Sequence, residues 1–290
     1  MVVKMIPEND VKNNKKNNKK RIYQILMVLF LLGFCISMVV VIRNAIIEKR
    51  AESQYEQLVG NTVSTETETE IITVETETES EEESILKEYG IEIPVLELDW
   101  EELAKTNSDI YSWVYIPDTK VNYPVLQHSE KTDYYLDHNL DHSKGLPGCI
   151  YTQLLNKKDY TDRNTILYGH NMKDGTMFKG LHQFADSTFF KENRYIYIYT
   201  PEKVFVYEIY AACEVSDAHL LYKYNFNKAE GAANFLEDIK TARSMNKQVV
   251  EEIELPEEIK LITLSTCIAN KPNNRWIVVG VLLGEEIVED

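Results

Sequence analysis

The chain has 290 residues, 44% of them hydrophobic, and a formal net charge of −16. This length accommodates a sizeable core in one or two domains, the composition excludes a wholly disordered chain, and so acidic an exterior excludes nucleic acid as a partner. The charge is segmented: residues 1–50 carry ten Lys/Arg against three acids, and residues 51–90 one Lys against twelve Glu. Cys35 lies in an apolar run, which leaves Cys149, Cys213 and Cys267 for the folded part. An odd, widely spaced set is not a disulfide framework, and without a C-x-x-C it suits neither zinc nor dithiol redox chemistry.

Residues 1–21 form a basic tail with Lys15, Lys16, Lys19, Lys20 and Arg21 bunched before an apolar segment. Ile25 to Ile42 is uncharged, about 27 Å as a helix, and extension to residues 22–42 reaches bilayer thickness. The segment is longer than a cleaved signal's apolar region and has no small-residue cleavage site, so it reads as a retained signal anchor. The lysines before it predict a cytoplasmic N-terminus and an extracellular remainder. Residues 43–90 follow as an acidic Thr/Glu-rich stalk, including Thr65-Glu66-Thr67-Glu68-Thr69-Glu70. Like charges and little apolar surface predict an extended, disordered spacer there.

The folded domain is predicted over 91–290. Helical spacing starts at Leu98, with Asp99 as the cap. Short β-branched or aromatic runs bounded by turn residues then predict strands at 110–116, 121–126, 148–152, 164–168, 195–199, 204–210, 261–267 and 275–283. Helical spacing recurs at 177–184 and over 227–245. About eight short strands with few long helices predict a mainly β fold, a closed eight-stranded barrel with helical insertions, preceded by a single transmembrane helix.

Leu261-Ile262-Thr263-Leu264-Ser265-Thr266-Cys267 reads as a buried strand that delivers a thiol to the rim, and Arg275 opens the next apolar run after a turn-like 269–274. A hairpin would set Cys267 beside Arg275, where a cation favours the thiolate and a guanidinium can hold an oxyanion. His170 ends another strand through Gly169 and is placed as the proton-transfer partner. A rival, His138-Asn139-Leu140-Asp141-His142, would hold a metal if helical. It lacks the glutamate of H-E-x-x-H, and Gly145, Pro147 and Gly148 predict a loop, so neither metal nor cofactor is expected.

Thr263-Leu264-Ser265-Thr266-Cys267 resembles the T-L-x-T-C signature of sortases, Arg275 stands where their arginine follows, and Tyr168-Gly169-His170-Asn171 looks like their strand-terminal Gly-His. The likeness spans roughly 91–285. The helix at 227–245 and the Tyr-Ser-Trp-Val-Tyr-Ile-Pro-Asp-Thr segment from Tyr111 are similar to class B. The resemblance implies a membrane-anchored cysteine transpeptidase of Gram-positive cell surfaces. Its catalytic residues would be His170, Cys267 and Arg275, with Tyr168 and Ser265 lining the substrate groove. Its partners would be secreted proteins with a C-terminal sorting signal, a cell-wall precursor amine, and the lipid bilayer through residues 22–42. A cysteine peptidase that hydrolyses the same motifs and a non-catalytic surface binding module on the same barrel are the alternatives.

Overall fold

The structure, a computed structural model, describes residues 8–62, 86–251 and 258–288. The chain divides into two compact units, Met1–Lys49 and Arg50–Asp290. In the first, helix α1 (Glu8–Thr62) begins, and an apolar window within Lys19–Gly60 has mean hydropathy 3.1 with none of it buried. By length and composition it is able to cross a membrane.

The segment expected to be an extended stalk, 43–90, is helical as far as Thr62, and its residues from Arg50 onward belong to the second unit. Tertiary burial is the reason. Ala51 and Tyr55 are 2% and 6% exposed, and Tyr55 Oη donates to the Gly148 carbonyl at 2.9 Å while its ring meets Tyr123 edge-on. Leu86 is also buried, so this unit starts well before residue 91. The Thr/Glu repeats of 63–85 lie outside the described residues.

Helix α2 (Trp100–Thr106) is capped by Asp99, whose side chain accepts from the Glu102 N–H at 3.0 Å. The strands are β1 (Ile110–Tyr115), β2 (Asn122–Leu126), β3 (Ile150–Thr152), β4 (Asn164–Tyr168), β5 (Tyr195–Tyr199), β6 (Lys203–Ser216), β7 (Gln248–Val249), β8 (Leu261–Ile268) and β9 (Lys271–Ile287). They run in the order β5-β1-β2-β3-β4-β8-β9-β6-β7, and a β5–β6 pairing closes the first eight into a barrel. The remaining strand, β7, pairs with β6 at Ala211 and Ala212. The sheet is mixed, with β2/β3 and β4/β8 parallel.

Helices α3 (Ser187–Glu192), α4 (Leu220–Lys223) and α5 (Ala229–Thr241) fill the connections. The helix expected over 227–245 is shorter because Ala242 turns to extended backbone, where the Lys247 ammonium donates to the Lys240 and Ala242 carbonyls at 2.7 and 2.8 Å.

Alternation along the strands builds two apolar clusters. Leu167, Ile262, Leu264 and Val278 join the main cluster with Trp113 and Phe178. Ile166, Leu261, Ile277 and Val279 join a second one with Phe235, Leu236 and Ile239 of α5. Strands β4, β8 and β9 are therefore buried on both faces, which is why their sequences read as continuous apolar runs. The candidate side chains sit where that burial ends.

Candidate functional site

Leu261 through Thr266 are all buried, and exposure begins at Cys267. Its cross-strand partner on β9 is Arg275, a pairing that sets their Cβ atoms about 5 Å apart. The turn is tighter than the 269–274 expected: only Ala269 and Asn270 separate the strands, Asn270 adopts φ 63°, and the register shifts between Cys267 and Ile268. The Arg275 guanidinium donates from Nη1 to the Pro272 and Asn274 carbonyls, both at 2.9 Å, and so is oriented by its own strand.

Strand β4 runs beside β8 with Tyr168 opposite Ser265. Past that point Gly169 N–H donates to the Ser265 carbonyl at 3.2 Å, and Thr266 Oγ1 donates to the Gly169 carbonyl at 2.8 Å. Glycine is required at 169 by close approach: a Cβ there would overlap Ile150 and come within 2.7 Å of Phe178 Cδ2. His170 follows directly, its Nε2 bonded to the Leu136 carbonyl at 2.6 Å. A carbonyl only accepts, so Nε2 carries a proton and Nδ1 is left for other partners.

His170, Cys267 and Arg275 line one groove of about 220 Å³ together with Tyr168 and Ser265. All five side chains predicted from sequence are thus brought together. Tyr151 and Tyr168 stack beside the groove at 5.5 Å, and burial pushes both phenols well above their ordinary range, so they remain neutral hydroxyls. Burial also pushes the Cys149 and Cys213 thiols up to about 12. The rival histidines occupy irregular backbone rather than a helix face: His142 has φ 61°, and His138 stacks on Tyr134 at 4.0 Å. Among the described residues, no group of three or more His, Cys, Asp or Glu gathers as metal ligands.

Sequence reasoning missed two residues that hold the Cys267 backbone. Asn171 Nδ2 donates to the Cys267 carbonyl at 2.8 Å, and His182 Nε2 lies 3.2 Å from the same oxygen. The His182 ring is stacked on Trp276, and burial lowers its pKa, so it is neutral near pH 7. Asn171 was legible as the residue after Gly-His; His182, on the 3-10 segment Phe178–Ala185, carried no local signal.

A sortase-domain family model matches residues 114–283. Sortase B of Listeria monocytogenes is 31% identical over 184 residues, covering 63% of this chain and 73% of that protein. Sortase B of Staphylococcus aureus is 28% identical over 169 residues, covering 58% and 67% respectively. The crystal structure of Clostridium perfringens sortase B superposes with a TM-score of 0.55 at 27% identity, over 63% of this chain and 98% of that one.

Proposed function

We propose, from the premise that this chain belongs to the class B sortases and is a cysteine transpeptidase acting on sorting motifs, that Cys267 is its nucleophile, Arg275 its oxyanion and substrate clamp, and His170 its proton carrier. The observation that carries this assignment is the meeting of these three side chains in one groove, with Cys267 and Arg275 directly cross-strand.

In this reading the Cys267 sulfur attacks the carbonyl carbon that follows the threonine of the sorting motif. The oxyanion that forms is held by the Arg275 guanidinium, whose planar fork is aimed by its two backbone acceptors. Collapse breaks the C–N bond, and His170 supplies the proton the leaving amine needs. The thioacyl enzyme is then resolved by an amine, which gives a proton back to His170. Tyr168 and Ser265 line the groove as neutral hydroxyls along the substrate's path.

Sortases are cell-surface enzymes that join proteins bearing sorting motifs to amine nucleophiles. The finer reading for this chain has residues 22–42 spanning the bilayer once, with 1–21 cytoplasmic and the barrel outside on an acidic spacer. The basic residues before the apolar run support that orientation. Secreted proteins with a C-terminal sorting signal are then its substrates and a cell-wall precursor amine its acceptor.

The test is to offer the full chain, in detergent micelles, a library of sorting-motif peptides and to measure its intact mass. A mass gain that maps to Cys267 and is discharged faster when an amine is added is the expected result. A chain that no peptide acylates, or an adduct on another residue, overturns the assignment.

A further inference from the structure

Three charged side chains, Asp133, Asp217 and Arg275, line the groove. Asp133 is exposed, and its carboxylate is oriented by neighbouring side chains. Its Oδ1 accepts from Gln153 Nε2 at 2.7 Å and from Tyr151 Oη at 3.3 Å. Gln153 is itself aligned by His219, whose Nε2 meets Gln153 Oε1 at 2.6 Å, so a polar chain runs from the start of α4 to Asp133. Both bonds fall on one carboxylate oxygen. Among the described residues no Lys or Arg forms an ion pair with Asp133, and Arg275 in the same groove commits only its Nη1 to backbone carbonyls, leaving Nη2 and Nε for a ligand. A fixed anion and a fixed cation thus share one cleft without neutralising each other. Separated, un-neutralised charges of this kind fit a ligand that brings its own charge to each.

Asp133 is also on the His170 side of the groove. The short 3-10 segment Tyr134–Leu136 follows it directly, and the carbonyl of Leu136 is the acceptor for His170 Nε2. A cation docked on Asp133 therefore enters the groove from the wall that also holds His170. Asp217 lies instead beside the Arg275 strand, its N–H bonded to the Asn273 carbonyl.

We propose that Asp133 is the docking carboxylate for the acceptor, a primary alkylammonium, and that the Tyr151–Gln153–His219 chain holds it in place for the second half of the reaction. This rests on the assignment of Cys267 and His170 above. The ammonium nitrogen gives one proton to His170 Nδ1 and its lone pair attacks the thioacyl carbon. The C–N bond forms, the C–S bond breaks with its electron pair left on the Cys267 sulfur, and the second proton passes to solvent.

The test uses the full chain in detergent micelles, an acylating peptide found as above, and two acceptors: Nα-acetyl-lysine amide, cationic at pH 7, and hydroxylamine, neutral at pH 7. Asp133→Asn keeps an oxygen for Tyr151 and Gln153 but removes the charge. It should raise KM for the lysine amide about two- to fivefold, the size of an exposed ion pair, and flatten the dependence of that KM on salt. The hydroxylamine reaction is the reference. Asp217→Asn is the comparison variant and should not reproduce the charge-selective loss. Equal losses with both acceptors, or a charge-selective loss in Asp217→Asn instead, overturn the proposal. So does a loss confined to acylation by lysine-bearing peptides, which would assign the carboxylate to the sorting motif. Failure of the wild-type chain to form any thioacyl adduct is seen separately and counts against the catalytic assignment itself.

Discussion

Two thiols flank β4, and they meet opposite fates. Extending the β3/β4 register two residues past Tyr151 opposite Tyr168 sets Cys149 level with His170; extending β4/β8 past Tyr168 opposite Ser265 sets Cys267 level with the same residue. Cys149 is 1% exposed, its N–H donates to the Tyr135 carbonyl and its Sγ lies 3.5 Å from the His138 carbonyl, under the 134–148 loop and the Tyr55 ring. Cys267 opens on a groove with Arg275 across from it. Equal height on either side of one histidine does not make a nucleophile. What separates the two sulfurs is cover, since a thiolate forms readily only where water or a cation can stabilise it.

Substituting each cysteine in turn should separate their fates most clearly. Cys267→Ala should leave no acyl-enzyme detectable by intact mass while the melting temperature stays within about 2 °C, because the side chain is exposed. Cys149→Ala should keep acylation yet lower stability by about 1–2 kcal/mol in a denaturant titration, as for other buried truncations. Loss of acylation in a fully stable Cys149→Ala chain would show that the buried thiol takes part in the reaction. Arg275→Lys should lower kcat/KM by roughly 10²–10³-fold, since a point charge cannot reproduce the fork that the Pro272 and Asn274 carbonyls aim. A variant within threefold of wild type would remove Arg275 from the oxyanion role. Asn171→Ala takes one hydrogen bond from the Cys267 carbonyl; kcat should fall about tenfold with KM unmoved. A change in KM alone would make Asn171 a substrate contact rather than a support for the nucleophile.

The smallest effect is a pattern of labelling. Burial raises the Cys149 and Cys213 pKa to about 12, so each stays protonated as pH rises to 9, with a thiolate fraction on the order of one in a thousand. Iodoacetamide on the folded chain at pH 7–9, followed by peptide mapping, should modify Cys267 and spare those two. Labelling of Cys149 at a rate near that of Cys267 would show that its cover opens readily.

Much of the site was legible because its residues sit at strand ends whose apolar runs announce them. β8 and β9 are buried on both faces, so 261–267 and 275–283 stood out, and the hairpin between them had to bring Cys267 to Arg275. The eight-stranded ring was likewise foreseen from the count and spacing of short strands, and the β5–β6 pairing completes it. Boundaries were less accurate where long-range contacts set them. β9 starts at Lys271 because Glu214 on β6 accepts from Lys271 and Asn274 and draws the expected turn into the sheet. Residues 50–62 carry a polar, helix-compatible pattern, yet the Tyr55 contacts that anchor them fall on Tyr123 and Gly148, far along the chain.

The sequence by itself singled out Cys267, through the T-L-x-T-C strand end, and the arginine and histidine that share its groove, because local apolar periodicity fixes where each strand emerges. Only the tertiary structure decided that Asn171 and His182 hold the Cys267 carbonyl, and that Asp133 is locked by Tyr151 and Gln153 on the groove wall. Those bonds join elements from separate parts of the chain, and a hydrogen bond between distant residues leaves no period, spacing or composition for a reader of the sequence to find.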